Sequence, residues 1–467
     1  MANPQLNEEK TMSTKVAIIG AGPAGLAQLR AFEAARAKGD PVPEEILCFE
    51  RQADWGGQWN ATWRTGLDEH GEPVHSSMYR HLWSNGPKEC LEFADYSFDD
   101  HFGRPISSYP PREALLDYIR GRAVKDGVRQ YIQFSTAVRW VDRDPGTGQF
   151  TLRVEDLVTG GTRTYTVDKL IVATGHFWSP NVPEFPGIRT FPGQMLHAHD
   201  FRGAESFAGK DLLLVGSSYS AEDIGMQAYK MGARSVTFSY RSHPMGYAWP
   251  DRVRELPCIE KIDGSHVTFI DGSEGTFDTL VLCTGYRHTF PFLPEELDLR
   301  TPNNLYPDGL YKGVVSQKDP NLFFVGMQDQ YFTFNMFDAQ AWFVRDVVLG
   351  TTAVPAVAEQ SADVEAWLRR LEATETHEDE VDFQTDYVKD LISRTDYPGF
   401  DLDAVAQLFK DWLQDKSEDI LGYRDQVHRS VMTGTTAAPH HTPWLMEMDD
   451  SLERYLSVSV DTAEQSA

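Results

Sequence analysis

A glycine-rich loop between an apolar run and an alanine-rich stretch constrains the fold of this chain more than any other feature. The loop reads Gly20-x-Gly22-x-x-Gly25; Lys15 to Ile19 precede it, and Ala24 to Lys38 follow with a helical composition. In a strand-turn-helix unit of this kind, the first glycine permits a tight turn. The second lets a pyrophosphate approach the backbone, and the third lets helix and strand pack closely. The pattern predicts a dinucleotide site at a helix N-terminus.

The residues after this loop indicate which dinucleotide it holds. A second apolar run, Ile46 to Glu50, ends on an acid and completes a β-α-β unit. Glu50 is placed to accept hydrogen bonds from ribose hydroxyls. The segment Trp55-Gly56-Gly57-Gln58-Trp59 follows, and its paired glycines let backbone pass close to a flat group. The interpretation is an FAD site, for which Trp55, Gly57, Gln58 and Trp59 are candidate contacts.

A second β-α-β pattern begins about 200 residues after the first. The apolar run Asp211 to Val215 leads into a second loop, and the strand-like run Ser235 to Tyr240 closes the unit. The loop retains one glycine and otherwise uses small residues, which still allow close approach of a ligand. Its candidate cofactor contacts are Gly216, Ser218, Ser220 and Ala221.

The end of the second unit favours a phosphorylated dinucleotide. Where an NAD site places an acid, this chain has Tyr240-Arg241-Ser242-His243. A guanidinium and a hydroxyl suit a 2′-phosphate, so the segment predicts NADPH rather than NADH, with Arg241, Ser242 and His243 as candidate contacts.

Two similar turns suggest how the two units are joined. Ala173-Thr174-Gly175 and Cys283-Thr284-Gly285 each end an apolar strand where the chain crosses between units. We therefore predict an α/β protein with two Rossmann-like dinucleotide-binding domains, the smaller inserted in the larger, and a helical C-terminal region. The expected boundaries are 1–176 for the first part of the FAD-binding domain, 177–290 for the NADPH-binding domain and 291–467 for the second part with the helical region.

Charge and cysteine content narrow the class of function. The net charge of −27 opposes binding to nucleic acid or anionic membranes, and no apolar stretch predicts a transmembrane span. The four cysteines are widely spaced, which argues against a disulfide framework, a zinc site or a disulfide reductase. The adjacent His440 and His441 lack ligand partners at suitable spacing, so no metal is expected. We expect a cytoplasmic protein without nucleic-acid or membrane partners.

A motif between the two units carries a resemblance to a known family. Phe191-x-Gly193-x-x-x-His197-x-x-x-Phe201-Arg202 resembles the identifying sequence of flavin-containing monooxygenases, although His197 by itself is interpreted as a structural histidine. Baeyer–Villiger monooxygenases have a tryptophan where Phe201 stands. The resemblance extends almost end to end and is closest to bacterial trimethylamine monooxygenases. Its longest segments are 77–89, 240–250 and 326–340.

This resemblance implies roles for individual residues. It makes Asn85 and Tyr219 the candidate catalytic residues: Asn85 matches the asparagine beside the flavin's oxygen adduct, and Tyr219 matches a tyrosine that faces NADP. Gln328 is placed near the flavin ring. His243 departs from the pattern, which leaves the phosphate contacts open.

The resemblance also implies a reaction. NADPH reduces FAD, and a C4a-hydroperoxyflavin then oxygenates a soft nucleophile, most simply trimethylamine to its N-oxide, with sulfides or indole as further substrates. The resembling bacterial enzymes imply a homodimer. Two alternatives remain open: a Baeyer–Villiger enzyme acting on ketones, and a non-catalytic flavin-binding sensor.

Overall fold

The computed structural model describes residues 14–437 and 450–457. In chain order its strands are β1 Lys15–Ile19, β2 Glu45–Phe49, β3 Ile132–Gln133, β4 Thr136–Arg143, β5 Phe150–Asp156, β6 Thr162–Val167, β7 Lys169–Val172, β8 Gln194–His197, β9 Asp211–Val215, β10 Ser235–Ser239, β11 Val253–Leu256, β12 Ile259–Asp263, β13 His266–Phe269, β14 Glu274–Thr276, β15 Thr279–Leu282, β16 Leu310–Tyr311, β17 Val315–Ser316 and β18 Leu322–Phe324. Its helices include α1 Pro23–Lys38, α2 Phe98–Phe102, α3 Arg112–Lys125, α4 Tyr219–Lys230, α5 Thr333–Leu349, α6 Val357–Glu372, α7 His377–Ile392 and α8 Leu402–Glu418. The pair His440-His441 lies outside the described residues.

Two largely parallel sheets form the framework. The larger has the strand order β16-β17-β18-β7-β1-β2-β3, with parallel pairing from β18 to β3. The smaller has the order β11-β10-β9-β15-β8 and is parallel throughout. Two three-stranded antiparallel sheets, β4-β5-β6 and β12-β13-β14, flank them. The smaller parallel sheet lies between β7 and β16 in sequence, so the predicted fold class is confirmed.

Burial explains why these strands are continuous apolar runs. Helices cover both faces of a parallel sheet, so its strands are buried on both sides. Their sequences therefore show little alternation of apolar and polar residues. Val16, Ala17 and Ile18 of β1 are completely buried, as are Leu212, Leu213 and Leu214 of β9.

The alanines of α1 have a packing role. α1 packs against α5, and the Gln28 side chain donates a hydrogen bond to the Ala341 carbonyl of α5 at 3.2 Å. Small side chains let the two helices approach closely. The helix stops at Gly39, whose φ of 82° is a left-handed conformation that favours glycine.

The C-terminal region is helical, as predicted, and its helix α7 begins with a cluster of acidic residues. Thr376 and Asp379 form a capping box, and Glu378, Asp379 and Glu380 occupy the first turn. Carboxylates are stabilised there by the helix dipole. No described helix is both long enough and apolar enough to cross a bilayer. All four cysteines are free.

Candidate active site

A cavity of about 930 Å³ lies at the carboxyl ends of both parallel sheets. The loops after β1, β7, β9 and β15 all reach it, bringing Gly20, Thr174, Gly216 and Thr284 to its wall. Open α/β sheets bind ligands at this edge, where neighbouring connections diverge to opposite faces. The fold therefore brings the two predicted nucleotide loops to one continuous space.

The first glycines of the two loops occupy equivalent positions. Gly20 has a φ of 105°, and a Cβ there would lie 2.5 Å from the Ala173 carbonyl oxygen. Gly216 has a φ of 136°, and a Cβ there would lie 2.2 Å from the Cys283 carbonyl oxygen. At each glycine the loop therefore lies in close contact with the end of a neighbouring strand, just before the Thr-Gly turn that follows that strand. This shared geometry explains why the two turns look alike in sequence.

The other glycines of the first loop serve close packing. A Cβ on Gly25 would meet the Gly20 carbonyl oxygen at 2.0 Å, so only glycine fits where α1 meets its own loop. Gly22 faces Gly57: a Cβ on Gly22 would lie 3.3 Å from the Gly57 Cα, and one on Gly57 would lie 2.8 Å from the Gly22 Cα. Gly57, the second residue of the Gly56-Gly57 pair, therefore packs directly against the first loop.

The start of α1 suits an anionic ligand. Gly22 caps it without a side-chain hydrogen bond, Pro23 begins it, and the first turn contains no acidic residue. The amides of that turn and the positive end of the helix dipole are not neutralised by a side chain of the helix itself. A pyrophosphate fits this position in both charge and space.

Glu50 is already oriented within the cavity wall. One carboxylate oxygen accepts the Ala21 amide at 2.7 Å, and the other accepts the Gln52 amide at 2.8 Å. Burial raises the pKa of this carboxyl, and the two amides act in the opposite direction. Each oxygen keeps a further lone pair, so hydrogen bonding to ribose hydroxyls is compatible with these contacts.

The second loop presents Gly216, Ser218, Tyr219 and Ser220 to the cavity. Ser218 caps α4 without a side-chain hydrogen bond, which leaves its first-turn amides without a side-chain partner from the cap. Ala221 does not line the cavity and is completely buried, in the position that Gly25 occupies in the first loop.

The predicted phosphate contacts separate into two groups. Arg241 and Ser242 are exposed and line the cavity, and Arg241 forms no ion pair with any described residue. His243 is exposed but does not line the cavity. The structure therefore brings the guanidinium and the hydroxyl to the site but not the imidazole.

Asn85 extends into the cavity from a fixed loop. The residue is exposed and lines the cavity. Its neighbour Ser84 donates its amide to the Pro110 carbonyl at 2.8 Å and accepts a hydrogen bond from Arg424 Nε at 3.0 Å. Arg424 also pairs with Asp223 of α4 at 2.8 Å. The C-terminal segment thus joins the Asn85 loop to the helix of the second nucleotide loop.

The motif that carries the family resemblance is structural. His197 Nε2 donates to the Gly285 carbonyl at 3.1 Å, and Nδ1 accepts the His199 amide at 3.0 Å. Burial lowers the pKa of His197 to about 4, so the ring is neutral. Arg202 donates to the Ser76 carbonyl at 3.0 Å, which ties the motif to the wall of the cavity. The interpretation of His197 as a structural histidine is confirmed.

Two of the predicted contacts, Gln328 and Trp55, do not line the cavity. Gln328 is completely buried away from the cavity, because its amide bonds the Tyr387 hydroxyl at 3.1 Å and the Gln340 amide at 2.8 Å. Trp55 is also buried outside the cavity wall, packing edge-to-face on Phe134. In contrast, Gln58 and Trp59 line the cavity.

Several lining residues were not predicted from the sequence. Trp412 is buried and also borders the cavity, together with Tyr331, Phe409 and Asp329. Three of these are aromatic and would pass for core in any sequence pattern. Asp329 stands within the resembling segment 326–340, but nothing in the sequence shows whether a basic residue pairs with it.

Comparison with known proteins agrees with this geometry. A fold with two nucleotide loops on one cavity defines a two-dinucleotide oxidoreductase. The family model of flavin-binding monooxygenase-like proteins matches residues 13–247 and 252–412. This chain therefore belongs to the flavin-binding monooxygenase family. It is an enzyme that uses FAD, NADPH and O₂ to oxygenate a small molecule.

Individual relatives are similar over nearly the whole chain. The trimethylamine monooxygenase of Methylocella silvestris is 60% identical over 442 residues, covering 95% of this chain and 98% of the relative. That of a Roseovarius species is 56% identical and covers 95% and 99%. The crystal structure of Tmm from a Pelagibacter species superposes with a TM-score of 0.90 at 51% identity, covering 95% of this chain and all of that one.

Proposed function

We propose that this chain catalyses the NADPH- and O₂-dependent oxygenation of trimethylamine to trimethylamine N-oxide. The observation that carries the proposal is the single cavity shared by both nucleotide loops and Asn85. The relatives named trimethylamine monooxygenases support the choice of substrate. Sulfides and indole are proposed as further substrates, because each offers a soft nucleophilic atom.

The proposed cofactor contacts follow the two loops. FAD is held by Gly20, Gly22, Gly25, Glu50, Gly57, Gln58 and Trp59, with Gly25 acting through helix packing. NADPH is held by Gly216, Ser218, Ser220, Arg241 and Ser242, with Ala221 acting in the same way as Gly25. Bound FAD, once reduced by NADPH, supplies the activation of O₂ that no side chain can provide.

The protein's own contribution is orientation and exclusion of water. Gln58 is held at both ends, since its amide nitrogen donates to the Phe177 carbonyl at 2.8 Å and its oxygen accepts from Ser77 at 2.9 Å. Asn85 is proposed as a hydrogen-bond donor to the reacting centre, and Tyr219 as a residue that faces the nicotinamide.

Three further assignments extend the proposal. The domain boundaries are placed at 176/177 and 290/291, close to the Thr-Gly turns. The enzyme is proposed to act as a homodimer in the cytoplasm. Neither nucleic acid nor a membrane is proposed as a partner, because the net charge of −27 opposes both.

NADPH oxidation measured with and without trimethylamine, together with N-oxide yield, tests the proposed function. Oxidation stimulated by the amine, with matching N-oxide, is the expected result. Conversion of cyclohexanone in place of the amine would indicate the Baeyer–Villiger alternative. NADPH oxidation that no substrate stimulates would indicate the flavin-binding sensor.

Asn85→Ala separates cofactor binding from oxygenation. The variant is expected to retain FAD but to consume NADPH with release of hydrogen peroxide instead of N-oxide, because the side-chain amide that donates to the reacting centre is gone. Peroxide and N-oxide measured per NADPH give the result. Full coupling in this variant would show that Asn85 does not act at the reacting centre.

A further inference from the structure

Among the residues that the structure describes, four carboxylates line the cavity, and three of them already have partners. They are Glu50, Glu72, Asp223 and Asp329. Glu50 accepts two backbone amides, Glu72 pairs with Arg139 at 2.7 Å, and Asp223 pairs with Arg424 at 2.8 Å. Asp329 forms no ion pair with any residue in the described ranges, and its only side-chain hydrogen bond there is from the Gln330 amide at 3.1 Å.

The backbone of Asp329 is fixed from two sides. Its amide donates to the Asn304 carbonyl at 2.8 Å, and its carbonyl accepts from Gln384 of α7 at 2.9 Å. The carboxylate is therefore held at the cavity wall by the main chain, and Oδ2 has no protein donor among the described residues. A rigid support of this kind suits a group that must meet a ligand in one place.

Asp329 shares the cavity wall with a cluster of aromatic rings. Tyr219, Tyr331, Phe409 and Trp412 all line the cavity, with ring centroids 6.0 Å apart for Tyr219 and Trp412, 6.3 Å apart for Trp412 and Phe409 and 5.7 Å apart for Tyr331 and Phe409. The negative charge of Asp329 contributes to the raised pKa of Tyr219, after burial, which places the two side chains within electrostatic reach.

The ammonium of Lys416 contacts two of these rings, those of Tyr219 and Trp412, and Lys416 does not line the cavity. The Lys416 ammonium lies 4.5 Å from the Trp412 ring centroid and 4.8 Å from that of Tyr219, and it pairs with Glu222 at 2.7 Å. One face of each ring is thus taken by Lys416. Among the described lining groups, Asp329 is left as the anion that a cationic ligand would meet.

The chemistry of an amine substrate requires such a group. An alkylammonium resembles the Lys side chain, whose pKa is about 10.4, so a tertiary alkylamine enters from neutral water mainly as its conjugate acid. The proton occupies the nitrogen lone pair that must form the new N–O bond. Before oxygenation, the N–H bond has to break and its proton needs an acceptor.

We propose that Asp329 binds the ammonium form of the substrate and accepts its proton, so that the free amine is generated inside the cavity. The N–H bond breaks, its electron pair stays on nitrogen, and an O–H bond forms on the carboxylate. The carboxyl returns the proton to water after the product leaves. This inference rests on the proposed function, because it assigns a residue to the amine substrate of the same site.

The surroundings of Asp329 favour proton acceptance. Burial raises the pKa of this carboxyl, the Gln330 amide lowers it, and Glu380 raises it further. The groups that face it are Tyr219 of α4 and Tyr331, whose hydroxyl bonds Glu380 at 2.7 Å and His377 at 3.3 Å on α7. No cation in the described part of these elements pairs with Asp329, so the carboxylate is a stronger base than an exposed aspartate.

Asp329→Asn, assayed on a charged and an uncharged substrate, tests the proposal. Trimethylamine requires deprotonation, whereas dimethyl sulfide reacts without it. The variant is expected to lose at least about tenfold in kcat/KM for trimethylamine and to retain that for dimethyl sulfide, since the sulfide has no proton to lose. Its kcat/KM for the amine is expected to rise about tenfold per pH unit below the amine's pKa, steeper than in the native enzyme.

Two further variants control for structural effects. Asp329→Glu keeps the carboxylate and is expected to recover part of the amine activity. Asp251→Asn removes a surface carboxylate outside the cavity lining and is expected to behave as the native enzyme.

Equal losses for amine and sulfide, or a raised KM for NADPH, would overturn the proposal and make Asp329 a cofactor or folding residue. Equal pH profiles for native enzyme and Asp329→Asn would overturn it as well. Failure of the native enzyme to form any N-oxide would instead contradict the proposed function.

Discussion

At the scale of single residues, the close contact between Gly22 and Gly57 limits the space at the first loop. Gly22 has a φ of −75°, so alanine is conformationally allowed there. Any effect of Gly22→Ala therefore reports the lost space, because its Cβ would lie 3.3 Å from the Gly57 Cα.

Gly22→Ala is expected to lower the flavin content of the purified protein while leaving its circular dichroism unchanged. Flavin absorbance per protein gives the measurement. Gly399→Ala is the matched control, since Gly399 has no positive φ and a Cβ there would have no neighbouring atom within 4 Å. Normal flavin content in Gly22→Ala would show that the loop does not contact the cofactor.

Arg241 is the residue proposed to give the preference for NADPH. Arg241→Ala is expected to raise the KM for NADPH about 10- to 100-fold, since a hydrogen bond to a charged group contributes about 1.5–3 kcal/mol. The KM for NADH should change little, because NADH lacks the 2′-phosphate. Arg189→Ala, on a side chain that is 91% exposed, serves as the control. Equal changes for both nucleotides would contradict a phosphate contact.

At the scale of elements, the segment after α8 connects parts of the site that are far apart in sequence. Arg424 bonds the Ser84 carbonyl beside Asn85 and pairs with Asp223 of α4, which also accepts the Tyr79 hydroxyl at 2.7 Å. Losing the guanidinium would leave Asp223 without its cation and the Asn85 loop without its support.

Arg424→Ala is expected to lower the free energy of unfolding by about 3 kcal/mol, as breaking a partly buried ion pair does. It should also lower N-oxide formed per NADPH. Arg424→Lys should recover part of the stability but not the coupling, because an ammonium cannot replace both guanidinium contacts. Arg429→Ala, on the same segment, is the control. Unchanged coupling in Arg424→Ala would mean that Asn85 is positioned by its own loop.

The elements also show what can be predicted from sequence. Strands such as β1 and β9, the two nucleotide loops and Glu50 are local patterns with fixed physical consequences, so the sequence alone locates them. Gln328 and Trp55 could not be placed in this way. The side chain of Gln328 is directed by Gln340 and Tyr387, and the second of these lies 59 residues away.

Asp329 also could not be identified from the sequence. Its importance comes from a missing basic partner among the described residues, and a missing partner becomes visible only when the packing around the carboxylate is known. Pairing within a folded chain depends on contacts between distant segments, which a pattern of residue types does not encode.

At the scale of the whole molecule, buried neutral histidines predict sensitivity to acid. Burial lowers the pKa of His197 to about 4, whereas an unfolded histidine has a pKa of about 6.5. Between these values the unfolded state binds a proton that the folded state does not. The contribution of His197 to stability is therefore complete above about pH 6.5 and is lost as the pH falls towards about 4.

His197→Gln tests this contribution, because glutamine keeps a donor for the Gly285 carbonyl but does not titrate. Free energies of unfolding are to be measured from pH 7 to pH 4. The native protein is expected to lose up to about 1.4 kcal/mol per pH unit more than the variant. Parallel pH dependences would show that the pKa of His197 is the same in the folded and unfolded states.

The whole molecule is proposed to hold both nucleotides and an amine in one cavity and to transfer one oxygen atom from O₂. The most direct test supplies NADPH, trimethylamine and isotopically labelled dioxygen, and then determines the label in the product by mass spectrometry. One labelled oxygen in trimethylamine N-oxide is expected for each NADPH consumed. Unlabelled N-oxide, or NADPH consumed with peroxide as the only product, would contradict this proposal.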